Sequence, residues 1–356
     1  MDPFEQMASL GHEQVVFTRN DDVGLRAIIG IHDTTLGPAL GGCRLYPYGS
    51  EAEALRDVLR LSRGMTYKAA VAGLDLGGGK AVIIGDPGIK SEGLFRAFGR
   101  AVESLGGRYI TAEDMNTNVE DMNNIARETR WVSGRGHATA GGGDPSPVTA
   151  WGVYHGVRAA AEVTFGSPDM AGKKVAIQGC GNVGYWLAKY LHEEGAELIY
   201  SDINGDRVKR CLNEFGGRAV EGDEYYSLDV DVLAPCAIGG IINSTTIPML
   251  RAPIIAGGAN NVLNEEDEDG HALLERGIAY APDYVINAGG LVSVYAELHA
   301  LPHAKAMEDA AGIFNTVKSI MNAAKAQGTT TMKAANALAE ARIETVARVK
   351  RMHIPG

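Results

Sequence analysis

Lys68 and Lys80 bracket a short apolar, glycine-rich passage that ends in Gly77-Gly78-Gly79. Three consecutive glycines give up side-chain packing and cost chain entropy, so such a run marks unusual backbone torsions or the close approach of another group. Lys80 follows directly, and Ala81-Val82-Ile83-Ile84 then reads as a short buried strand. That places Lys80 at a strand edge, away from water. Burial and a second cation nearby both disfavour an ammonium, so Lys80 could reach the neutral amine that abstracts protons. The alternative is a surface turn with two solvated lysines.

A second cluster suits phosphate. Gly179-Cys180-Gly181-Asn182-Val183-Gly184 matches the GxGxxG pattern between a predicted strand (173–178) and a predicted helix. Gly179 permits the tight turn, Gly181 lets a pyrophosphate approach the backbone, and Gly184 lets helix and strand pack closely. The helix N-terminus opened by Asn182 and Val183 supplies amides and a positive dipole end. Asp202 lies 21 residues past Gly181, at the end of the next strand, where a carboxylate accepts from ribose hydroxyls. It favours NAD and repels a 2′-phosphate. Arg207 is close enough to suit NADP instead, and a mere tight turn is the reading without any nucleotide.

These groups need elements to hold them. Gln14–Phe17 and Leu25–Ile31 read as strands separated by Asn20-Asp21-Asp22. A helix follows Ser50, with Ser50 and Glu53 at capping-box spacing and apolar residues recurring at helical intervals. It would deliver Lys68 through a turn at Gly64. A helix at about 92–105 is closed by Gly106-Gly107, and Arg108–Thr111 resumes as a strand, so Asp114 lies just past a strand end. Residues 133–147 are rich in glycine and proline and mark a crossing between domains. Strands and helices then alternate to about residue 290, as a parallel doubly wound sheet requires. Helical patterns at about 303–326 and 331–351 finish the chain. The expectation is an α/β protein of two domains. Residues 1–135 form an α/β domain and residues 145–330 a Rossmann-type NAD-binding domain.

At 356 residues two domains are the default. A net charge of −11 argues against non-specific nucleic-acid binding. No apolar run approaches a membrane span and the start lacks a signal-peptide pattern, so a cytoplasmic protein is expected. Cys43, Cys180, Cys211 and Cys236 show neither zinc nor disulfide spacing and read as small buried hydrophobes. The acidic run 265–269 reads as a solvated turn or helix start, and no metal site is expected. His32 and His137 stand near the candidate loops without an assignable partner.

The stretch from Gly64 to Lys80 closely resembles the substrate-binding segment of the amino acid dehydrogenase family that includes leucine, valine, phenylalanine, tryptophan and glutamate dehydrogenases. Gly37–Gly42, Thr111–Asp114, Asp144–Pro147 and Ala281–Gly290 extend the resemblance over nearly the whole chain. It implies NAD-dependent oxidative deamination of an L-amino acid to its 2-oxo acid and ammonia, by a homo-oligomer. It also implies that residues 1–135 are a substrate and oligomerisation domain, on which a last helix at about 331–356 packs back. Lys68 would hold the substrate carboxylate, Lys80 would be the general base and Asp114 the proton relay. Leu40, Gly41, Met65, Ala112, Leu291 and Val294 would line the substrate site, with Asn261 at the amino group. Thr149, Cys236 and Asn287 would join the glycine motif and Asp202 on the cofactor, and closure of a cleft hinged around 134–143 would exclude water. Leu40 and Val294 disfavour glutamate, leaving no partner for a side-chain carboxylate. Leu40 and Asp144–Pro147 look like the leucine enzymes and favour branched-chain substrates. Met115–Asn118 and Leu291 look like the phenylalanine and tryptophan enzymes, which keeps aromatic substrates open. A nucleotide-sensing protein that lost the reaction is the remaining alternative.

Overall fold

The computed structural model describes residues 2–135 and 144–349. The chain divides into two compact units. The first comprises residues up to 143 with 297–300 and 339 onward; the second comprises 144–296 and 301–338.

The first unit begins with α1 (Pro3–Leu10), β1 (Gln14–Asn20), β2 (Leu25–Asp33) and β3 (Ala39–Tyr46). It continues through α2 (Glu51–Val71), β4 (Gly77–Ile84), α3 (Glu92–Glu103), β5 (Tyr109–Glu113) and α4 (Val119–Ile125). The strands form one mixed sheet in the order β1-β2-β4-β3-β5. β4 runs antiparallel to β2 and parallel to β3, so Lys80 sits inside a central strand, in register with Gly30, and not at an edge. The sequence pattern does not announce β3, because Gly41 and Gly42 interrupt its apolar run.

Side chains alternate between the faces of a sheet. Ile29, Ile31, Cys43, Leu45, Ala81 and Ile83 pack with Phe95 and Phe98 of α3. Ile28 and Val82 pack with Leu55, Val58 and Leu59 of α2. Counting in twos from Val82 assigns Lys80 to the α2 face, and Leu40 and Arg44 share it because Cys43 and Leu45 point the other way.

α2 is capped by Ser50, whose side chain accepts from the Glu53 amide. The capping box is only half formed, because the Glu53 carboxylate reaches the Gly49 amide. No turn occurs at Gly64. The helix runs through it to Val71, since an exposed glycine costs a helix only about 1 kcal/mol and the apolar stripe on either side continues.

The second unit holds α5 (Ser146–Phe165), β6 (Lys174–Gln178), α6 (Asn182–Glu193), β7 (Glu197–Ser201), α7 (Gly205–Phe215), β8 (Arg218–Ala219), β9 (Val232–Pro235) and β10 (Ile254–Ile255). Then come α8 (Glu266–Glu275), β11 (Ala279–Tyr280), α9 (Asp283–Ile286), α10 (Gly289–Leu298), α11 (His303–Ala311), α12 (Ile313–Gln327) and α13 (Thr331–Val349). The last residues of α10 and α13 belong to the first unit. The sheet is wholly parallel, in the order β11-β10-β9-β6-β7-β8. Counted from β6, that is the 3-2-1-4-5-6 order of a dinucleotide-binding sheet. The single helix expected at 303–326 is two, parted at Gly312. The acidic run opens α8, and its Asp269 is buried because it accepts from the Glu265 amide at 2.7 Å. The glycines expected to act as a hinge at 136–143, together with His137, lie outside the described residues.

Candidate active site

The triple glycine works by close approach and not by unusual torsion. A Cβ on Gly78 would stand 2.1 Å from Thr66 Oγ1 and 2.2 Å from the Thr66 nitrogen; one on Gly79 would stand 2.6 Å from the Tyr109 ring. The last turn of α2 therefore lies directly on β4, and Lys68 and Lys80 each follow that contact by two residues. His32 braces it, with Nδ1 2.8 Å from Thr66 Oγ1, and burial holds its imidazole below the ordinary range.

Lys80 is buried, and its Nζ lies 2.9 Å from Asp114 Oδ1. Asp114 reaches it from the turn after β5. Gly42 makes the room, since a Cβ there would stand 2.4 Å from the Glu113 oxygen and 2.7 Å from Asp114 Cβ. The Asp114 amide donates to Thr117 Oγ1 at 2.9 Å, and Thr117 Oγ1 donates to the Cys43 carbonyl at 2.9 Å. Asn116 takes the left-handed conformation in this turn, φ 61°. Glycine suits such a position best, and asparagine is the tolerated substitute. Burial pushes the Asp114 carboxyl up, but Lys80 and then Arg44 outweigh it and hold the group below its ordinary value.

Leu40 is buried on β3, while Met65 on α2 and Ala112 on β5 are half-buried, as is Lys68. Gly41 is close-packed backbone: its Cβ position is 1.7 Å from the Gly79 oxygen, and its carbonyl accepts from Tyr109 Oη at 2.6 Å. Sequence reading missed Arg44, whose Nε donates to Asp114 Oδ2 at 2.9 Å. A cation inside an otherwise apolar strand was the signal available.

In the second unit the glycine turn lies between β6 and β9, where the strand order reverses. Gly179 has φ 95°, and a Cβ on Gly184 would stand 1.8 Å from the Gly179 oxygen. Gly181 caps α6 without a side-chain hydrogen bond, so no side chain competes for the first-turn amides. Asp202 ties the turn, accepting from the Cys180 amide on Oδ2 and the Asn204 amide on Oδ1, each at 2.7 Å. The Arg207 guanidinium comes within 3.8 Å of the Gly181 Cβ position. The Cys236 amide donates to the Gln178 carbonyl at 2.6 Å, and Cys236 Sγ accepts from the Gly258 amide. Buried Asn287 donates to Asn260 Oδ1 at 2.7 Å. Asn261 has φ 51° and an exposed side chain. Thr149 opens α5 beside Gly290, whose Cβ position is 2.9 Å from Thr149 Oγ1, and Leu291 and Val294 follow on α10.

A family model described as the Glu/Leu/Phe/Val dehydrogenase dimerisation domain matches residues 12–131. A second, for Glutamate/Leucine/Phenylalanine/Valine dehydrogenase, matches residues 141–206 and 203–354. The chain belongs to the Glu/Leu/Phe/Val dehydrogenase family.

It is thus an amino acid dehydrogenase, an oxidoreductase of an NAD(P)-dependent family. It is 52% identical to a leucine dehydrogenase of Geobacillus stearothermophilus over 351 residues, covering 98% of this chain and 95% of that protein. A phenylalanine dehydrogenase of Bacillus thermotolerans is 51% identical, covering 98% of this chain and 92% of that one. The crystal structure of L-tryptophan dehydrogenase from Nostoc punctiforme superposes with a TM-score of 0.88 at 48% identity, over 97% of this chain and 99% of that one. A hetero-hexameric glutamate dehydrogenase from Thermus thermophilus, at 23% identity and a TM-score of 0.77, shares the fold. Among the described residues of this family member, no group of side chains could hold a metal ion, and no helix is long and apolar enough to cross a membrane.

Proposed function

We propose that the protein catalyses the reversible oxidative deamination of leucine and related branched-chain L-amino acids to their 2-oxo acids and ammonia, with NAD. The observation that carries the reading is the buried Lys80–Asp114 ion pair at 2.9 Å, an acid–base couple on the sheet face that also carries α2 and Lys68.

NAD, when bound, supplies the hydride acceptor. Gly179 and Gly184 would shape the tight turn, Gly181 would let its pyrophosphate approach the backbone, the first-turn amides at Asn182 and Val183 would receive the phosphate, and Asp202 would accept from the ribose. Thr149, Cys236 and Asn287 complete the cofactor side. Lys68 pairs with the substrate carboxylate. Lys80, once it has passed its proton on, takes one from the water that attacks the imino carbon, and Asp114 exchanges protons with the substrate nitrogen. Asn261 hydrogen-bonds the amino group. Leu40, Met65 and Ala112 of the first unit offer only apolar surface to the side chain, so a glutamate carboxylate buried against them would lack a partner. We further infer a homo-oligomer assembled through residues 12–131, the stretch that matches the dimerisation model.

The test is kcat/KM for leucine, valine, phenylalanine, tryptophan and glutamate with each dinucleotide. Leucine or valine with NAD should be best. Phenylalanine or tryptophan tenfold above leucine would replace the branched-chain reading with an aromatic one. Equal use of NADP would assign the ribose pocket to Arg207.

A further inference from the structure

Lys80 and Asp114 would suffice as an acid–base pair, yet three more polar side chains are built onto them. Arg44 turns different edges of its guanidinium to two carboxylates: Nε donates to Asp114 Oδ2 and Nη1 to Asp57 Oδ2, both at 2.9 Å. Asp57 Oδ2 also accepts from Tyr48 Oη at 2.5 Å. Charge alternates along Asp57, Arg44, Asp114 and Lys80, so each group has an opposite neighbour and the chain is neutral. The Arg44 and Asp114 side chains are 20% and 22% exposed, which strengthens their coupling over that of an open surface pair.

We propose that Arg44, clamped by Asp57 and Tyr48, is a positioning residue for the reaction: it holds Asp114 in one orientation against Lys80 and remains its counter-ion when Lys80 has given up its proton. The inference rests on the roles of Lys80 and Asp114 given above. A base must lose its proton to act, and at that moment the pair on Asp114 Oδ1 loses its charge. A guanidinium never deprotonates in a protein, so the pair on Oδ2 persists. Without it, burial would favour the neutral carboxyl, and Asp114 would keep the proton it should hand on. The other titratable groups facing Asp114 cannot substitute. Cys43 on β3 and Tyr109 on β5 are driven to their neutral forms by burial. The anchor Asp57 sits on α2, so the helix that carries Lys68 also sets the relay.

Arg44→Gln, Arg44→Lys and Asp57→Asn are compared with wild type for kcat, KM, the pH profile of kcat/KM, thermal melting and NADH binding, with Lys80→Ala and Asp114→Asn in parallel. Arg44→Gln should lower kcat about tenfold or more and raise the acid limb of the profile, with NADH affinity unchanged. Arg44→Lys keeps the charge but reaches one carboxylate only, so it should restore the limb without restoring kcat. Asp57→Asn should lower kcat about threefold and move the limb down, because the charge of Arg44 then falls wholly on Asp114. An acid limb that stays put in folded Arg44→Gln overturns the proposal, since a lost structural brace alone does not move it. If Arg44→Gln does not fold, a limb that rises or stays put in Asp57→Asn overturns it. Near wild-type turnover in Lys80→Ala or Asp114→Asn would instead remove the site reading beneath it.

Discussion

Lys80 is one of four charged residues in a largely shielded string, and its place there sets what its loss should do. Lys80→Ala should reduce kcat by about 10²–10⁴-fold, the usual worth of a positioned acid–base group. NADH binding should hardly change, because the glycine turn and Asp202 belong to a different compact unit. Retention of more than about a tenth of wild-type kcat would remove Lys80 as the base. The same change strands Asp114 beside Arg44 alone. Gly42 is the quiet partner in this geometry, for any side chain there would meet the Glu113 carbonyl and push Asp114 off Lys80.

At the scale of elements, the contact that matters is α2 on β4. It exists because Gly78 has no side chain where the Thr66 backbone and the Ser62 carbonyl arrive, with a Cβ position 2.3 Å from the latter. Neither atom is a flexible tip that could swing away. Gly78→Ala must therefore lift the end of α2, at a cost of about 1–3 kcal/mol or more for overpacking a well-filled site. The helix carries Lys68 and Asp57 with it. Thermal melting should drop, and the KM for the amino acid should rise well before NADH affinity changes. A variant with wild-type melting and KM would mean that the helix end yields freely and does not set the lysine.

At the scale of the whole molecule, each unit has a histidine held neutral, His12 buried in the first and His155 half-buried in the second. Burial lowers His12 to about 4, with His32 adding to it, and burial followed by Arg158 lowers His155 to about 4. The unfolded chain takes up these protons near 6.5, the folded chain only near 4. Between those values the unfolded state binds more protons, so stability falls as pH drops through the window. Asp114, held below its ordinary value, adds a loss in the same direction at the acid end. Calorimetry across that range should show a falling melting temperature, and His12→Asn should flatten part of the slope. A melting temperature level down to the acid end would contradict the burial of both rings.

What the sequence determined by itself were the features written in local chemistry. The glycine turn between β6 and α6 was legible because glycine spacing, a preceding apolar strand and a following carboxylate are all short-range signals. So was the lysine-bracketed passage, whose glycines announced close packing without naming the partner. Tertiary structure alone decided the rest. That Lys80 lies in a central strand depends on the order of strands in the sheet, which no local pattern encodes. β3 escaped notice because its glycines, needed for the backbone of β4 and the side chain of Asp114, erase the alternation that marks a strand. Arg44 and Asp57 are 13 residues apart in sequence, on a strand and a helix, and only the packing of α2 across the sheet brings them to 2.9 Å. Charge networks of that kind form where separate elements meet, and the meeting is a property of the fold.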